Sequence, residues 1–231
     1  MVFAYGASEY KPDRRQKKLY GAVSQFAAVV EFPKQSQRDL TAWIIRHFKS
    51  TGKTISPALC TYLIEVTGGT MSALAGEIGK IAAFAPGPEI RKSDVDAVTE
   101  PVLDAVVFQM TDALGAGNYE AALRKLQELY RMQQEPIAIL GAVGAHMRRI
   151  SAARILLDEG KGVDDLIRIC GLKDYAAKKT MSAARKFPSR LCRRAAAWIL
   201  ETDVKMKTSF DEPERLLELC LLQLAQEAEH G

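Results

Sequence analysis

The feature that most constrains this chain is a helical spacing of apolar residues that continues almost without a break from Ser36 onward. In the first such segment, Leu40, Trp43, Ile44 and Phe48 recur at intervals of three and four residues, which puts them on one face of a helix. Serine or threonine before a segment, and glycine or proline after it, divide the pattern into separate helices. The spacing therefore predicts a mainly α protein.

Two groups of helices are predicted, with Pro101 between them. The first four helices are expected to begin after Ser36, at residue 55, after Thr70 and at Ser93. Seven more are expected near residues 102–115, 118–132, 135–159, 163–169, 175–187, 189–206 and 212–229. We therefore expect a small helical domain over residues 34–100 and a larger helical domain over residues 101–231.

Residues 1–33 follow a different pattern, which reads as strand, helix, strand. Residues 1–5 and 27–32 are short apolar runs typical of buried strands. Between them, Pro12 and Asp13 open a helix that should turn Phe26 inward. Two apolar strands joined by one helix imply a parallel pair, and such a pair needs further strands and helices to cover it. We therefore expect residues 1–33 to be the C-terminal remnant of an α/β domain.

The apolar segments and the cysteines limit the compartment in which the protein works. No run approaches 18 uninterrupted apolar residues, so a membrane span is not expected. The first residues have neither the basic lead-in nor the cleavage site of a signal peptide. The cysteines have no CxxC spacing, which favours buried, reduced thiols over disulfides or a zinc site. We expect a cytoplasmic protein whose thiols are Cys60, Cys170, Cys192 and Cys220.

One tetrapeptide, at residues 51–54, mimics the end of a phosphate-binding loop. That loop needs an earlier glycine where His47 stands, and a buried strand where this chain has an amphipathic helix. We therefore interpret Gly52 as the residue that stops a helix. His47, His146 and His230 are isolated and belong to no metal-binding or nucleophilic motif. No catalytic, cofactor-binding or metal site is predicted.

The formal net charge of +4 is unevenly distributed along the chain. From Lys173 to Lys207 there are ten lysines and arginines against three acids, and from Thr208 onward six acids against one base. The basic stretch could bind nucleic acid or an acidic partner. Alternatively, the two stretches face each other or are solvated.

Residues 163–187 resemble a helix-turn-helix, in which the second helix enters the major groove of DNA. The second helix, however, carries few side chains that could read bases, and it lacks asparagine and glutamine. This composition favours packing together with phosphate contacts at most. The candidate contacts with DNA or a partner are Lys178, Lys179, Arg185, Lys186, Arg193 and Arg194.

Short motifs run in register over nearly the whole chain. In the first half they are residues 13–18, 29–32, 43–44, 52–55, Ala58, and 69–74 with Glu77 and Lys80. In the second half they are residues 107–108, Asp112, 117–118, 122–123, 135–136, Arg148, 171–172, 175–179, and Glu201, Asp203 and Lys207. With these motifs the chain resembles the delta subunit of the bacterial DNA polymerase III clamp loader. Thr70, Met71 and Gly79 depart from the family pattern.

The resemblance implies three domains in the fold. Residues 1–33 would be the end of an AAA+-like α/β domain, residues 34–100 a helical lid, and residues 101–231 a helical collar. In the family, the collars of delta, delta-prime and the tau/gamma subunits associate into a circular pentamer. Delta binds and opens the sliding clamp without a working phosphate loop, so its neighbours hydrolyse ATP. Roughly the first hundred residues of the family pattern, including the region that grips the clamp, are expected to precede this chain.

Two functional hypotheses follow. The first is a non-catalytic clamp-loader subunit within the DNA polymerase III holoenzyme, a nucleotidyltransferase complex, which helps to load the clamp onto primed DNA. It predicts apolar helix faces beyond those that one bundle can bury, because subunit interfaces resemble split cores. The alternative is a stand-alone DNA-binding module that uses residues 173–207 and binds less tightly as salt increases. No set of residues supports an enzyme.

Overall fold

The computed structural model describes residues 17–28, 30, 35–172 and 174–229, and all of the regular elements in this part are α-helices. The chain divides into two compact units, Met1–Ser36 and Gln37–Gly231. The mainly α fold predicted from the apolar spacing is confirmed. The helices are α1 (Lys17–Phe26), α2 (Gln37–Ser50), α3 (Pro57–Thr67), α4 (Met71–Phe84), α5 (Lys92–Val98), α6 (Leu103–Gly115), α7 (Tyr119–Arg131), α8 (Pro136–Asp158), α9 (Val163–Cys170), α10 (Asp174–Ala184), α11 (Ser189–Thr208) and α12 (Pro213–Glu229).

In the first unit the helix predicted between the two strands is present as α1, whereas the described residues of the second predicted strand are not in a strand. The strand expected over residues 1–5 lies outside the described residues, as do most of residues 27–32. Ala27, Ala28 and Val30 are described, are not in a strand, and are exposed. Phe26 is 83% exposed, so the expectation of an inward-facing ring is wrong. The described part of this unit contains no neighbouring strand against which such a run could be buried.

Helices α2–α5, which we call the four-helix core, enclose one set of buried apolar residues. Local caps set where the helices begin and end. Ser56 and Thr70 accept hydrogen bonds from the backbone N–H groups of Leu59 and Ala73, and Gly68 ends α3 in the left-handed conformation. The buried residues of this core are Leu40, Ile44, Phe48, Ile55, Cys60, Leu63, Val66, Leu74, Ile78, Ile81, Ala85, Ile90 and Val95.

Helices α6–α12, which we call the seven-helix core, pack around the 23-residue helix α8. Helix α8 contacts α6, α9, α10, α11 and α12, and its buried side chains follow a helical spacing along its length. Gly171 ends α9 in the left-handed conformation, as a glycine can without steric strain. The largest fully buried side chains of this core are Met110, Leu114, Leu126, Leu129, Ile139 and Leu140.

Three of the four cysteines are buried, and the fourth differs from the expectation. Cys60, Cys192 and Cys220 are buried free thiols, whereas Cys170 at the end of α9 is only half-buried. Burial raises the pKa of the Cys60 thiol to about 11. The apolar pattern around Cys170 does not bury its side chain fully, because α9 ends at that residue.

Candidate functional site

The six basic residues predicted to contact DNA or a partner do not form one free basic surface. Lys178 pairs with Asp174 one turn earlier on α10, at 2.8 Å, and both side chains are exposed. Lys186, in the turn after α10, pairs with Asp112 of α6, also at 2.8 Å. These two lysines therefore already have anionic partners in this chain.

The acidic helix α12 faces the basic helix α11. Glu227, with a side chain only 10% exposed, accepts from Arg190 at 2.7 Å and from Arg194 at 2.6 Å. The guanidinium of Arg194 also lies over the ring of Trp198. At these residues the interpretation in which the two oppositely charged stretches face each other fits the structure.

Arg185 and Arg193 are exposed, as most of the six candidates are, but they differ from the others in their pairing. Within the part of the chain that the structure describes, neither of them makes an ion pair. Arg185 lies just after α10, and Arg193 lies on the outer face of α11. These two arginines are available to a partner.

Lys179 points inward, across the boundary between the two cores. Its ammonium group pairs with the carboxylate of Glu65 on α3, and it lies 3.6 Å from the centre of the Phe108 ring. Burial lowers the pKa of Lys179 to about 8, so the ammonium is still mostly charged at neutral pH. Sequence reasoning missed Glu65, because 114 residues separate it from Lys179.

This placement bears on the helix-turn-helix interpretation of residues 163–187. Helix α10 buries Ala177, Thr180, Met181 and Ala184 against its neighbours. Its exposed face offers Lys178, which is already paired with Asp174. A recognition helix needs free polar side chains on its outer face, so the arrangement favours packing over base reading.

The tetrapeptide at residues 51–54 has a structural role. Gly52 has a φ of 74° directly after α2, as expected for a helix-stop glycine. The Lys53 ammonium donates hydrogen bonds to the backbone carbonyls of Ala85 and Gly87, at 2.6 and 2.7 Å. Lys53 therefore ties the end of α2 to the loop after α4.

The histidines lie apart from one another. His47 stacks on Trp43, and His230 lies outside the described residues. His146 is buried edge-on to Phe108, and burial, together with Arg149, lowers its pKa to about 4. In the part of the chain described, no group of histidine, cysteine, aspartate and glutamate side chains could hold a metal ion. No described helix is long and apolar enough to cross a bilayer.

A surface that sequence reasoning missed lies on the outer face of α11. Arg193, Ala197, Leu200 and Val204 are exposed, and their spacing of four, three and four residues puts them on one face. Leu200 is 64% exposed and Val204 is 50% exposed. We call these four residues the α11 face. Its signal in the sequence is a second apolar stripe on a helix that already buries Leu191, Cys192 and Ala195.

The fold and these surfaces define a helical protein of two cores with a partly apolar outer face. The family described as "DNA polymerase III delta subunit, C-terminal domain" matches residues 104–224, just over half of the chain. The chain therefore belongs to this family. The matched segment covers α7–α11 completely and most of α6 and α12.

Two curated relatives extend the similarity beyond that segment. The DNA polymerase III subunit delta of Bacillus subtilis is 26% identical over 99% of this chain and 66% of its own length. The probable DNA polymerase III subunit delta of Aquifex aeolicus is 23% identical over 73% of this chain and 49% of its own. The chain thus spans between half and two thirds of the length of these relatives.

A solved structure shares the fold. The Bacillus subtilis DNA clamp loader delta protein superposes with a TM-score of 0.71 at 24% sequence identity. The superposition covers 92% of this chain and 63% of that protein.

Proposed function

We propose that this chain is the helical part of a clamp-loader delta subunit, which helps to load the sliding clamp onto primed DNA in the bacterial cytoplasm. In this proposal residues 34–100 act as the lid and residues 101–231 as the collar. The collar associates with the delta-prime and tau/gamma subunits. Support comes from the family match and from the two relatives, which are named as a delta subunit and a probable delta subunit of DNA polymerase III.

The α11 face is the structural observation that carries the proposal. A helix that packs on one side and is apolar on the other needs a second partner to cover its outer side. Interfaces combine an apolar centre with arginine, and this face joins Leu200 and Val204 to the unpaired Arg193. An assembly subunit would cover this face with a neighbouring collar.

The test is co-purification of this chain with delta-prime, tau/gamma and the sliding clamp from the same bacterium, followed by mass measurement of the complex. We expect the chain to assemble with the delta-prime and tau/gamma subunits. Retention of the clamp without the loader subunits would contradict the proposed role.

A pair of variants tests whether the α11 face makes the contact. Leu200→Asp puts a charge into the proposed interface and should weaken assembly about tenfold or more. Ile169→Asp is the matched control, because Ile169 is equally exposed, at 60%, but lies on α9. Equal assembly by both variants would exclude the α11 face. Failure to assemble, together with salt-sensitive binding to duplex DNA, would support the stand-alone module instead.

A further inference from the structure

A group of four side chains lies where the four-helix core meets the seven-helix core. Glu65 comes from α3, Phe108 from α6, and Tyr175 and Lys179 from α10. We call these residues the junction cluster. They line a cavity of about 170 Å³, to which both cores contribute.

Glu65 is held on both of its carboxylate oxygens. Lys179 pairs with Oε1, and the Tyr175 hydroxyl donates to Oε2 at 3.4 Å. The side chains of Lys179 and Glu65 are only 31% and 28% exposed, so solvent screens this ion pair less than the exposed pairs on α10. A carboxylate held in this way allows α3 little freedom to rotate against α10.

The Lys179 ammonium is held from a second side by an aromatic ring. It lies 3.6 Å from the ring centre of Phe108, within the range of a cation–π contact. His146 also packs edge-on against the Phe108 ring, with ring centres 4.9 Å apart. Three helices, α3, α6 and α10, therefore meet at one ammonium group.

Among the described residues, a second set of contacts between the two cores lies close to the connecting segment. The Val102 N–H donates to the Val66 carbonyl at 2.8 Å, and Gly68 lies close to the Val102 side chain. Both cores also line a cavity of about 470 Å³, with Tyr62 from the four-helix core and Gln109 from the seven-helix core. A polar contact that joins three helices adds to this packing, and it can help to set the angle between the two cores.

We propose that Lys179 is a positioning residue: its contacts with Glu65 and Phe108 set the orientation of the four-helix core relative to the seven-helix core. This inference rests on the junction geometry and does not depend on the proposed function. Within a clamp loader, the same contacts would set the angle between the lid and an assembled collar.

The experiment measures that orientation directly. Spin labels are attached to cysteines introduced at Arg46 on α2 and Ala196 on α11, both exposed positions, in a Cys170→Ser background. Pulsed electron paramagnetic resonance then gives the distribution of distances between the two cores. A narrow distribution is expected for the otherwise unchanged chain, and a clearly broader one for Lys179→Met and for Glu65→Gln.

Two further variants separate positioning from general stability. Lys178→Met removes the neighbouring lysine, which pairs only within α10, and should keep the narrow distribution. Lys179→Arg keeps the charge and can stack on Phe108, so it should restore the narrow distribution that Lys179→Met loses. Amide hydrogen exchange within each core should stay slow in every variant, because the change concerns the angle between the cores.

The proposal is overturned if Lys179→Met gives the same distance distribution as the unchanged chain. It is also overturned if Lys178→Met broadens the distribution to the same extent. If Lys179→Met fails to fold, Glu65→Gln decides the question. That variant keeps the shape of the side chain and removes only the charge that Lys179 pairs with.

Discussion

The ring of Phe187 lies directly against the backbone of Gly115. A Cβ atom at residue 115 would come 2.3 Å from Cε2 of this ring and 2.7 Å from Cζ. Phe187 is 2% exposed, so the ring has no free space into which it could move. The contact joins the end of α6 to the turn after α10, and it explains why only glycine fits at the end of α6.

Gly115→Ala should therefore destabilise the protein by roughly 2 kcal/mol, the usual range for overpacking a core. Urea unfolding followed by circular dichroism measures the change in the free energy of unfolding. Gly141→Ala is the matched control, because an added Cβ on α8 would meet nothing within 4 Å. There the better helix propensity of alanine should stabilise the chain, by up to about 1 kcal/mol. Equal effects at both positions would contradict the packing argument.

His146 should make the protein less stable in mild acid. Burial and Arg149 lower its pKa from 6.5 to about 4, so between these pH values the unfolded chain binds a proton that the folded chain does not. Stability is therefore highest above pH 6.5 and falls as the pH drops toward 4. The shift corresponds to a loss of about 2 kcal/mol by pH 5.

The pH dependence of unfolding in His146→Gln isolates this contribution. The variant should lose less stability between pH 7 and pH 5 than the unchanged chain does. His47→Gln is the control, since the exposed His47 stacks on Trp43 outside the core. An unchanged pH profile in His146→Gln would show that other groups cause the acid destabilisation.

Lys53→Met should cost about 2 kcal/mol of stability, because it removes two charge-assisted hydrogen bonds to the carbonyls of Ala85 and Gly87. Thermal unfolding measures the loss. Lys49→Met, in the exposed last turn of α2, should change stability by less than about 0.5 kcal/mol. If ATP raised the melting temperature of the unchanged chain but not that of Lys53→Met, residues 51–54 would have to be interpreted as a phosphate-binding loop after all.

The four cysteines should differ in their reaction with a thiol reagent such as Ellman's reagent at pH 8. Burial raises the pKa of Cys60, Cys192 and Cys220, so these thiols should react only after unfolding. The half-buried Cys170 should react first, at one thiol per chain. The Cys170→Ser variant should show no early reaction, and a second thiol reacting at the same rate would contradict the burial pattern.

The helices of the two cores could be predicted from signals within short segments of the sequence. Apolar spacing, the caps at Ser56 and Thr70, and the stop glycines act within a few residues of each helix end, so the sequence predicted most bounds to within about two residues. The end of α10 was the largest miss, at Ala184 instead of residue 187. Residues 185–187 instead form a turn with hydrogen bonds to carbonyls three residues earlier, directly before Pro188, which disfavours helix at the residue that precedes it.

The arrangement of the candidate site could be predicted much less well from such short segments. Lys178 and Lys179 are identical neighbours in the sequence, yet one step of about 100° along a helix separates an exposed lysine from one that lies between two cores. The residues next to these two lysines in the sequence do not indicate which of them lies between the cores. Arg193 was selected for its charge, but its place on the α11 face beside Leu200 became visible only once the buried side of α11 was known.

The helical character of the protein, the order of its helices and its family could be inferred from the sequence alone, because periodicity, caps and motifs are properties of short segments. Which charged side chains are paired could be seen only in the packed structure. Ion pairs such as Lys179 with Glu65 and Arg194 with Glu227 join residues far apart in the chain. Whether two such residues meet depends on how whole helices pack, and that packing follows from the combined shape of both cores.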